Sequence, residues 1–268
     1  IISDIFTYSM MIREAITKDK LEILKFCKNT FSWGDYIEHV WDFWVSEGSL
    51  LVCEIQSPVG ICHTFYSKDQ IWIEGIRINP NFRKQKIASQ LIKQSEFNGK
   101  KRHALFSYML IDTENEISLS MATSLDYTIF QTWNFYALEP KINSNFSVDF
   151  EKSLNPHIYT HYVQSWRWIP LDNDILSKFY KQNKIIKSKI DDKDSIAILT
   201  DSEHFEKTLI VTLFSGSINT TLQIIHFLQN YGTENDYERI QILTKEQLTS
   251  FDLLEHKLSF HLMKKSLV

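Results

Sequence analysis

Three features are scarce or missing in this 268-residue sequence, and each argues against a class of protein. The only cysteines are Cys27, Cys53 and Cys62, without a Cys-x-x-Cys pair, so we expect buried, reduced thiols in a cytoplasmic protein rather than a disulfide framework or metal site. The formal net charge of −4 argues against a general nucleic-acid-binding face. No apolar run is long enough to span a bilayer. Ile1 to Met10 lack the basic region and cleavage site of a signal peptide, so we expect an upstream extension.

The order of apolar segments is informative. Between Ile12 and Tyr136 it reads strand, two helices, three strands, helix, strand, helix, strand, which predicts a mixed sheet with helices on both faces. A polar, irregular stretch follows, and a similar order then repeats without obvious residue identity, which indicates a diverged internal duplication. We therefore expect domains at 11–139 and 165–268, joined by a linker at 140–164. The predicted helices include Phe82–Gly99, with Gly99 as its C-cap, and Lys245–His256.

The segment from Ile71 to Ile92 has the pattern of an anion-binding site. An apolar strand leads into a short basic loop with Arg83, Lys84 and Lys86, and the loop opens a helix. Backbone N–H groups at a helix start lack intrahelical partners and bind phosphate, and nearby cations strengthen this. The alternative is an ordinary solvated helix start.

This segment resembles motif A of the Gcn5-related N-acetyltransferase (GNAT) superfamily, whose loop pattern is Arg/Gln-x-x-Gly-x-Gly/Ala. Here it reads Arg83-Lys84-Gln85-Lys86-Ile87-Ala88. The helix that begins near Asn115 and ends in Leu125-Asp126-Tyr127 resembles motif B. Within the superfamily, the chain is most similar to a two-part histidine N-acetyltransferase type with a degenerate second half.

The resemblance implies an α/β (α+β) fold, in which a mostly antiparallel, splayed sheet is flanked by helices and followed by a second, degenerate GNAT-like half. It also implies acetyl-CoA as co-substrate, with no metal. The residues it assigns to acetyl-CoA are Ile76, Arg77, Ile78, Arg83, Lys84, Gln85, Lys86, Ile87, Ala88, Ser89 and Asn115.

Two positions depart from the family pattern. Lys86 stands where the family has its central glycine, and a helical backbone there would let the lysine fit. Ala122 stands where the family often has a tyrosine that protonates the coenzyme A thiolate.

Glu74 is the candidate catalytic residue. A carboxylate in a strand of Ile, Trp and Gly is unusual, and burial makes it a better proton acceptor. By the period of two it shares a face with Ile76 and Ile78, and Gly75 marks a bulge or a close backbone approach. The alternative is a salt bridge to Arg77 or Arg102, or a strand-end carboxylate that faces solvent.

The acceptor pocket is expected beside the second helix, with Trp33 and Tyr36 as candidate substrate contacts. His63, on a neighbouring strand, is a second candidate base, although a hydrogen-bonded core histidine is the commoner case.

The resemblance implies an acetyl-CoA-dependent N-acetyltransferase in which the amine of a small molecule, such as a free amino acid, attacks directly. The alternatives are a non-catalytic acyl-CoA-binding sensor and a protein N-acetyltransferase. We expect no nucleic-acid or membrane partner, and a monomer or homodimer.

Overall fold

The computed structural model describes residues 9–32 and 34–268. Most of the expected N-terminal extension and the candidate substrate residue Trp33 lie outside the described residues. Two compact units form, and the first comprises the described residues up to Leu110 together with Ile117–Thr128 and Met263–Val268. Within the part of the chain that is described, no helix combines the length and the hydropathy needed to cross a membrane.

The first unit is built on the strand order β1-β2-β3-β4-β5, antiparallel except for the parallel pair β4 and β5. The strands are β1 (Met11–Glu14), β2 (Leu50–Ile55), β3 (Ser57–Ser67), β4 (Gln70–Ile78) and β5 (Phe106–Asp112). The helices are α1 (Lys20–Cys27), α2 (Ile37–Glu47), α3 (Ile87–Lys101) and α4 (Glu116–Ser124).

The core beside α1 and α2 follows the helical pattern of the sequence. Ile37, Val40, Trp41 and Trp44 recur at three- and four-residue steps and are at most 1% exposed. They pack against α1 and the buried faces of β2 and β3. The apolar stripe predicted for α2 is therefore confirmed.

The helix predicted at Phe82–Gly99 is displaced. It begins at Ile87, because Lys84 and Lys86 have φ of 64° and 60°, which a right-handed helix cannot include. Gly99 lies inside α3, so the C-cap prediction is wrong. A Cβ on Gly99 would stand 2.9 Å from the Ile71 side chain, so this glycine serves the close packing of α3 on β4.

The second unit comprises Ile111–Glu116 and Ile129–Leu262, with the strand order β14-β6-β13-β12-β11-β10-β7 and a separate ribbon of β8 and β9. Its first strands are β6 (Thr128–Leu138), β7 (Asp149–Phe150), β8 (His161–Gln164), β9 (Arg167–Pro170) and β10 (Ile185–Ile190). The remaining elements are β11 (Lys193–Asp201), β12 (Thr208–Phe214), β13 (Arg239–Thr244), β14 (Leu254–Ser266), α5 (Asn173–Lys181) and α6 (Ile218–Glu234).

The second unit repeats the topology of the first. Strands β10, β11 and β12 are antiparallel, and α6 then leads to β13, which is parallel to β12. In the first unit β2, β3, β4, α3 and β5 have the same order and directions. The expected internal duplication is confirmed. Residues 129–138, predicted for the N-terminal domain, pack within the second unit, and the segment predicted as linker contains β7 and β8.

The helix predicted at Lys245–His256 is wrong. This segment is irregular up to Leu253, and β14 begins at Leu254. Tertiary partners take up its backbone groups, since the N–H of Leu248 donates to the hydroxyl of Tyr136. The helical propensity of the segment is therefore overridden by its packing on the sheet.

Residues 263–268 are held to the first unit by a buried polar cluster. Lys265 Nζ lies 2.8 Å from Glu96 Oε2, and the hydroxyl of Tyr127 donates to Glu96 Oε1 at 2.9 Å. Ser107 Oγ lies 2.6 Å from the Tyr127 oxygen. Burial raises the pKa of the Tyr127 hydroxyl, so it stays a donor to the carboxylate.

We expect Lys265→Met to lower the free energy of unfolding by about 2–3 kcal/mol, because it removes a charged hydrogen-bond partner from a carboxylate that is only 9% exposed. Chemical denaturation monitored by fluorescence measures the change. The double variant Lys265→Met/Glu96→Gln is the control, and it should recover part of the loss. If Lys265→Met were as stable as the parent, the contact of Lys265 with Glu96 would not hold residues 263–268 in the first unit.

Candidate active site

A β-bulge shapes β4 at the candidate catalytic residue. The β3–β4 hairpin pairs Ser67 with Gln70 and His63 with Glu74. Beyond this point the register slips, and Ile61 opposes Arg77, so β4 contains one extra residue. Gly75 takes a φ of +65° there, which confirms the predicted bulge.

The bulge overturns the period-two prediction for this strand. Residues directly opposite each other share a face of a sheet, so Glu74 lies on the face of His63 and Arg77 on the face of Ile61. His63 and Ile61 are two residues apart and share one face. Arg77, rather than Ile76 or Ile78, is therefore on the Glu74 side, which faces α1 and α2.

The sheet of the first unit opens at the same place. Parallel pairing between β4 and β5 covers Gln70 to Ile73 and ends there. The half of β4 that contains Ile76, Arg77 and Ile78 continues beyond that pairing, as a splayed sheet requires. Pairing with β5 therefore does not occupy the backbone groups of this half of β4.

The predicted phosphate loop presents its cations to solvent. Arg83, Lys84, Gln85 and Lys86 are exposed, whereas Ile87 is buried and anchors the start of α3. Ala88 and Ser89 follow in the first turn of α3 and are half-buried.

The start of α3 is an uncapped helix N-terminus. Lys86 occupies the N-cap position, and its side chain makes no capping hydrogen bond to the described residues. The helical backbone expected at Lys86 is wrong, since its φ is +60°. A left-handed conformation costs a lysine about 1 kcal/mol and glycine much less, which accounts for the family's glycine at this position.

The equivalent helix start in the second unit is closed by its own chain. Ser217 caps α6 by accepting from the N–H of Thr220 at 3.2 Å, and the N–H of Gly216 donates to Ser195 Oγ at 2.9 Å. A Cβ on Gly216 would lie 1.8 Å from the carbonyl oxygen of Asp194. The N–H groups of Gly216 and Thr220 are therefore already bonded within the chain.

Two motif B positions are placed as follows. Asn115 is an exposed residue directly before α4, and its N–H donates to the carbonyl of Asp112 at 3.0 Å. Asn115 belongs to the second unit. Ala122, at the position of the family tyrosine, is fully buried in α4. Position 122 therefore offers no proton donor for a thiolate.

Glu74 forms a pair with His63. Its Oε1 lies 2.8 Å from His63 Nδ1, and the Glu74 side chain is 15% exposed. The imidazole is fully buried and stacks on Trp44, with ring centroids 4.6 Å apart. Its Nε2 lies 3.1 Å from the carbonyl oxygen of Gly48 and 3.3 Å from Glu47 Oε2. His63 is therefore a hydrogen-bonded core histidine that also contacts the candidate base.

Glu47, His63 and Glu74 are close enough together to be considered as metal ligands. The two carboxylates, however, lie at opposite nitrogens of one imidazole. A single ion coordinates one ring nitrogen, so this arrangement favours proton sharing over metal binding.

Arg77 pairs with Asp35, not with Glu74 as the alternative reading proposed. Arg77 Nε lies 2.6 Å and Nη2 3.0 Å from the two Asp35 oxygens, a bidentate geometry. The guanidinium carbon lies 5.2 Å from the ring centres of both Phe31 and Tyr36. Burial lowers the pKa of Arg77, but the Asp35 carboxylate outweighs this and raises it overall. The other proposed partner, Arg102, lies over the ring of Tyr66.

Tyr36 is a half-buried residue whose ring meets Trp44 edge-on at 6.1 Å. Burial raises the pKa of its hydroxyl, and the charge of Glu74 adds to this. The role of Tyr36 as a substrate contact stays a prediction. The cysteines are buried as expected, and burial raises the pKa of Cys27 and Cys62 to about 12, which excludes them as thiolate nucleophiles at neutral pH.

No pattern in the sequence indicates the contacts of Asp35 and Glu47, but one signal indicates the pairing of His63 with Glu74. Counting outward from the hairpin loop, Tyr66 opposes Ile71, and His63 falls opposite Glu74 three pairs later. Register alone could therefore have joined the two candidate bases.

Comparison with known proteins agrees with this architecture. Residues 18–127 match the acetyltransferase (GNAT) family, which confirms the superfamily resemblance of this segment and supports acyl transfer as its chemistry. No curated protein shows significant similarity to the chain.

Solved structures confirm the two-part fold over nearly the whole chain. A protein of Thermoplasma acidophilum assigned as an acetyltransferase has 15% identity and a TM-score of 0.64, covering 96% of this chain and 99% of its own. A GCN5-related N-acetyltransferase of Sphaerobacter thermophilus has 10% identity and a TM-score of 0.61, covering 96% of both chains. A tandem GNAT protein of the clavulanic acid pathway has 8% identity and a TM-score of 0.54, covering 97% and 99%. At these identities the likeness concerns the fold alone.

Proposed function

We propose that the first unit is an acetyl-CoA-dependent N-acetyltransferase that acts on the amine of a small molecule, such as a free amino acid. The observation that carries the proposal is the combination of an uncapped, cationic start of α3 with a carboxylate on the splayed half of β4. The first feature suits a pyrophosphate, and the second suits removal of a proton from an amine.

Acetyl transfer to an amine requires two functions from the protein. Glu74 accepts the proton that the ammonium must lose before it attacks. A backbone N–H on Ile76, Arg77 or Ile78 donates to the thioester oxygen as charge develops on it. The nitrogen–carbon bond forms, and the carbon–sulfur bond breaks with its electron pair going to sulfur. The second proton of the attacking nitrogen then neutralises the thiolate, which gives the amide and free coenzyme A.

Arg83→Glu is expected to weaken acetyl-CoA binding about 10- to 100-fold, because it replaces a phosphate-pairing cation by an anion at the start of α3. Isothermal titration calorimetry measures the dissociation constant. Lys100→Glu is the matched control, since it makes the same charge change at the other end of α3 and should bind nearly as the parent does. Equal affinities for the parent and Arg83→Glu would contradict the proposed loop.

A non-catalytic acyl-CoA sensor is the second candidate, and the buried alanine at position 122 favours it. Thiol release from acetyl-CoA, measured over a panel of amino acids and polyamines, separates the two functions. An amine-dependent release supports the transferase. Binding of acetyl-CoA without release for any acceptor would establish the sensor instead.

A further inference from the structure

We propose that the proton acceptor of this site is the His63–Glu74 pair acting as one unit, with His63 as a positioning residue that shares the proton taken up by Glu74. The inference rests on the proposed function, since it concerns the same reaction. It starts from the hydrogen-bond requirements of one buried imidazole.

The Nε2 side of the ring fixes one proton. The carbonyl oxygen of Gly48 can only accept a hydrogen bond, and Glu47 Oε2 lies on the same side. His63 Nε2 therefore carries a hydrogen in both charge states of the ring. With Nε2 protonated, the neutral imidazole has its lone pair on Nδ1.

The lone pair on His63 Nδ1 then affects how readily Glu74 accepts a proton. At 2.8 Å from Nδ1, a carboxylate oxygen and a nitrogen lone pair repel each other unless a proton lies between them. The proton-free pair is therefore a stronger acceptor than an isolated carboxylate. When an ammonium gives up its proton, that proton is held between Glu74 Oε1 and His63 Nδ1.

The surroundings hold the ring in this orientation. Trp44 stacks on the imidazole at an interplanar angle of 4°, and full burial opposes a ring flip. The nearby charges are Glu47 at the end of α2, which stabilises the protonated ring, and Arg77, which its partner Asp35 neutralises. Tyr36 and Cys62 also face the charge of Glu74, and both have raised pKa values that keep them neutral.

The pH dependence follows with a definite sign. The proton-loaded pair cannot accept another proton, so kcat/KM falls as the pH falls through the loading of the pair. In His63→Gln the carboxylate acts alone and binds a proton less tightly. The acid limb should move to lower pH, and the rate above it should fall about three- to tenfold, because a weaker base removes the proton less readily.

The experiment combines pH profiles with nitrogen NMR of the histidine rings. His63→Gln and Glu47→Gln are compared with the parent, and His39→Gln, an exposed change on α2, is the control. Glu47→Gln removes the charge at Nε2 without touching Glu74, so its acid limb should shift the same way by less. This second variant decides the question if His63→Gln does not fold.

The NMR signals give a readout that a purely structural role would not move. In the parent, the His63 Nε2 should remain protonated at all pH values, and Nδ1 should titrate with the midpoint of the acid limb. An Nδ1–H neutral ring, or acid limbs that stay in place in both variants, would overturn the proposal. Acetyl-CoA binding is measured in each variant, so a failure of the proposed function, in which the parent neither binds nor turns over, is distinguished from a failure of the pair.

Discussion

Gly75→Ala is expected to lower the free energy of unfolding by about 2–4 kcal/mol and to abolish most acetyl transfer. A Cβ at this position would lie 2.3 Å from Cη2 and 2.4 Å from Cζ3 of Trp44. The φ of +65° adds a backbone strain of about 1–2 kcal/mol for any L-residue, and overpacking of a filled core adds about 1–3 kcal/mol. The displaced side chain is Trp44, on which His63 stacks, so the geometry of the Glu74 pair changes with it.

The variant Gly34→Ala separates the cost of backbone strain from the cost of overpacking. Its φ is +110°, yet a Cβ there would meet none of the described atoms within 4 Å. We expect Gly34→Ala to lower the free energy of unfolding only by the contribution of backbone strain. The double variant Gly75→Ala/Trp44→Phe lacks the colliding atoms, so it should be less destabilised than the sum of its single variants. Thermal and chemical unfolding, with thiol release on the same samples, provide the test. A Gly75→Ala protein as stable and active as the parent would mean that the bulge tolerates a side chain.

The bulge in β4 can be predicted from the sequence only in part. Alternation along Gln70 to Ile78 predicts the strand, because apolar residues fill both of its faces, and glycine marks the irregular position. Pattern alone does not reveal which way the register slips. The glycine at position 75 is required by Trp44, which is remote in sequence and occupies the volume that a side chain would need. One extra residue then brought Arg77 to the face assigned to Ile76 and Ile78.

The sequence predicts a function for the loop before α3, but it does not predict the backbone conformation of that loop. Its cations and the small Ala88 indicate a phosphate site from the sequence alone. The left-handed turns at Lys84 and Lys86 do not follow from residue type, since lysine prefers a negative φ. The second half was harder to predict, because Lys245 to Leu253 contains helix-forming residues whose backbone groups bond to distant side chains.

Arg77→Met is expected to lower the free energy of unfolding by about 3–5 kcal/mol, because it leaves the Asp35 carboxylate, only 4% exposed, without its bidentate partner. The double variant Arg77→Met/Asp35→Asn removes both charges and should recover much of that loss. The pair joins β4 to the chain just before α2, and the guanidinium also lies against the rings of Phe31 and Tyr36.

The same pair should affect the acceptor more than acetyl-CoA. Since Arg77 fixes the segment that contains Tyr36, we expect Asp35→Asn to raise the KM for the amine about tenfold, while the dissociation constant for acetyl-CoA stays within about twofold. Lys20→Met is the matched control, because its partner Asp42 is 84% exposed and such a pair contributes at most about 1 kcal/mol. If Arg77→Met proved no more destabilising than Lys20→Met, the buried pair would not organise this side of the site. If Asp35→Asn also weakened acetyl-CoA binding, the segment before α2 would support the whole site rather than the acceptor side alone. Calorimetry of acetyl-CoA binding to the folded double variant distinguishes these outcomes.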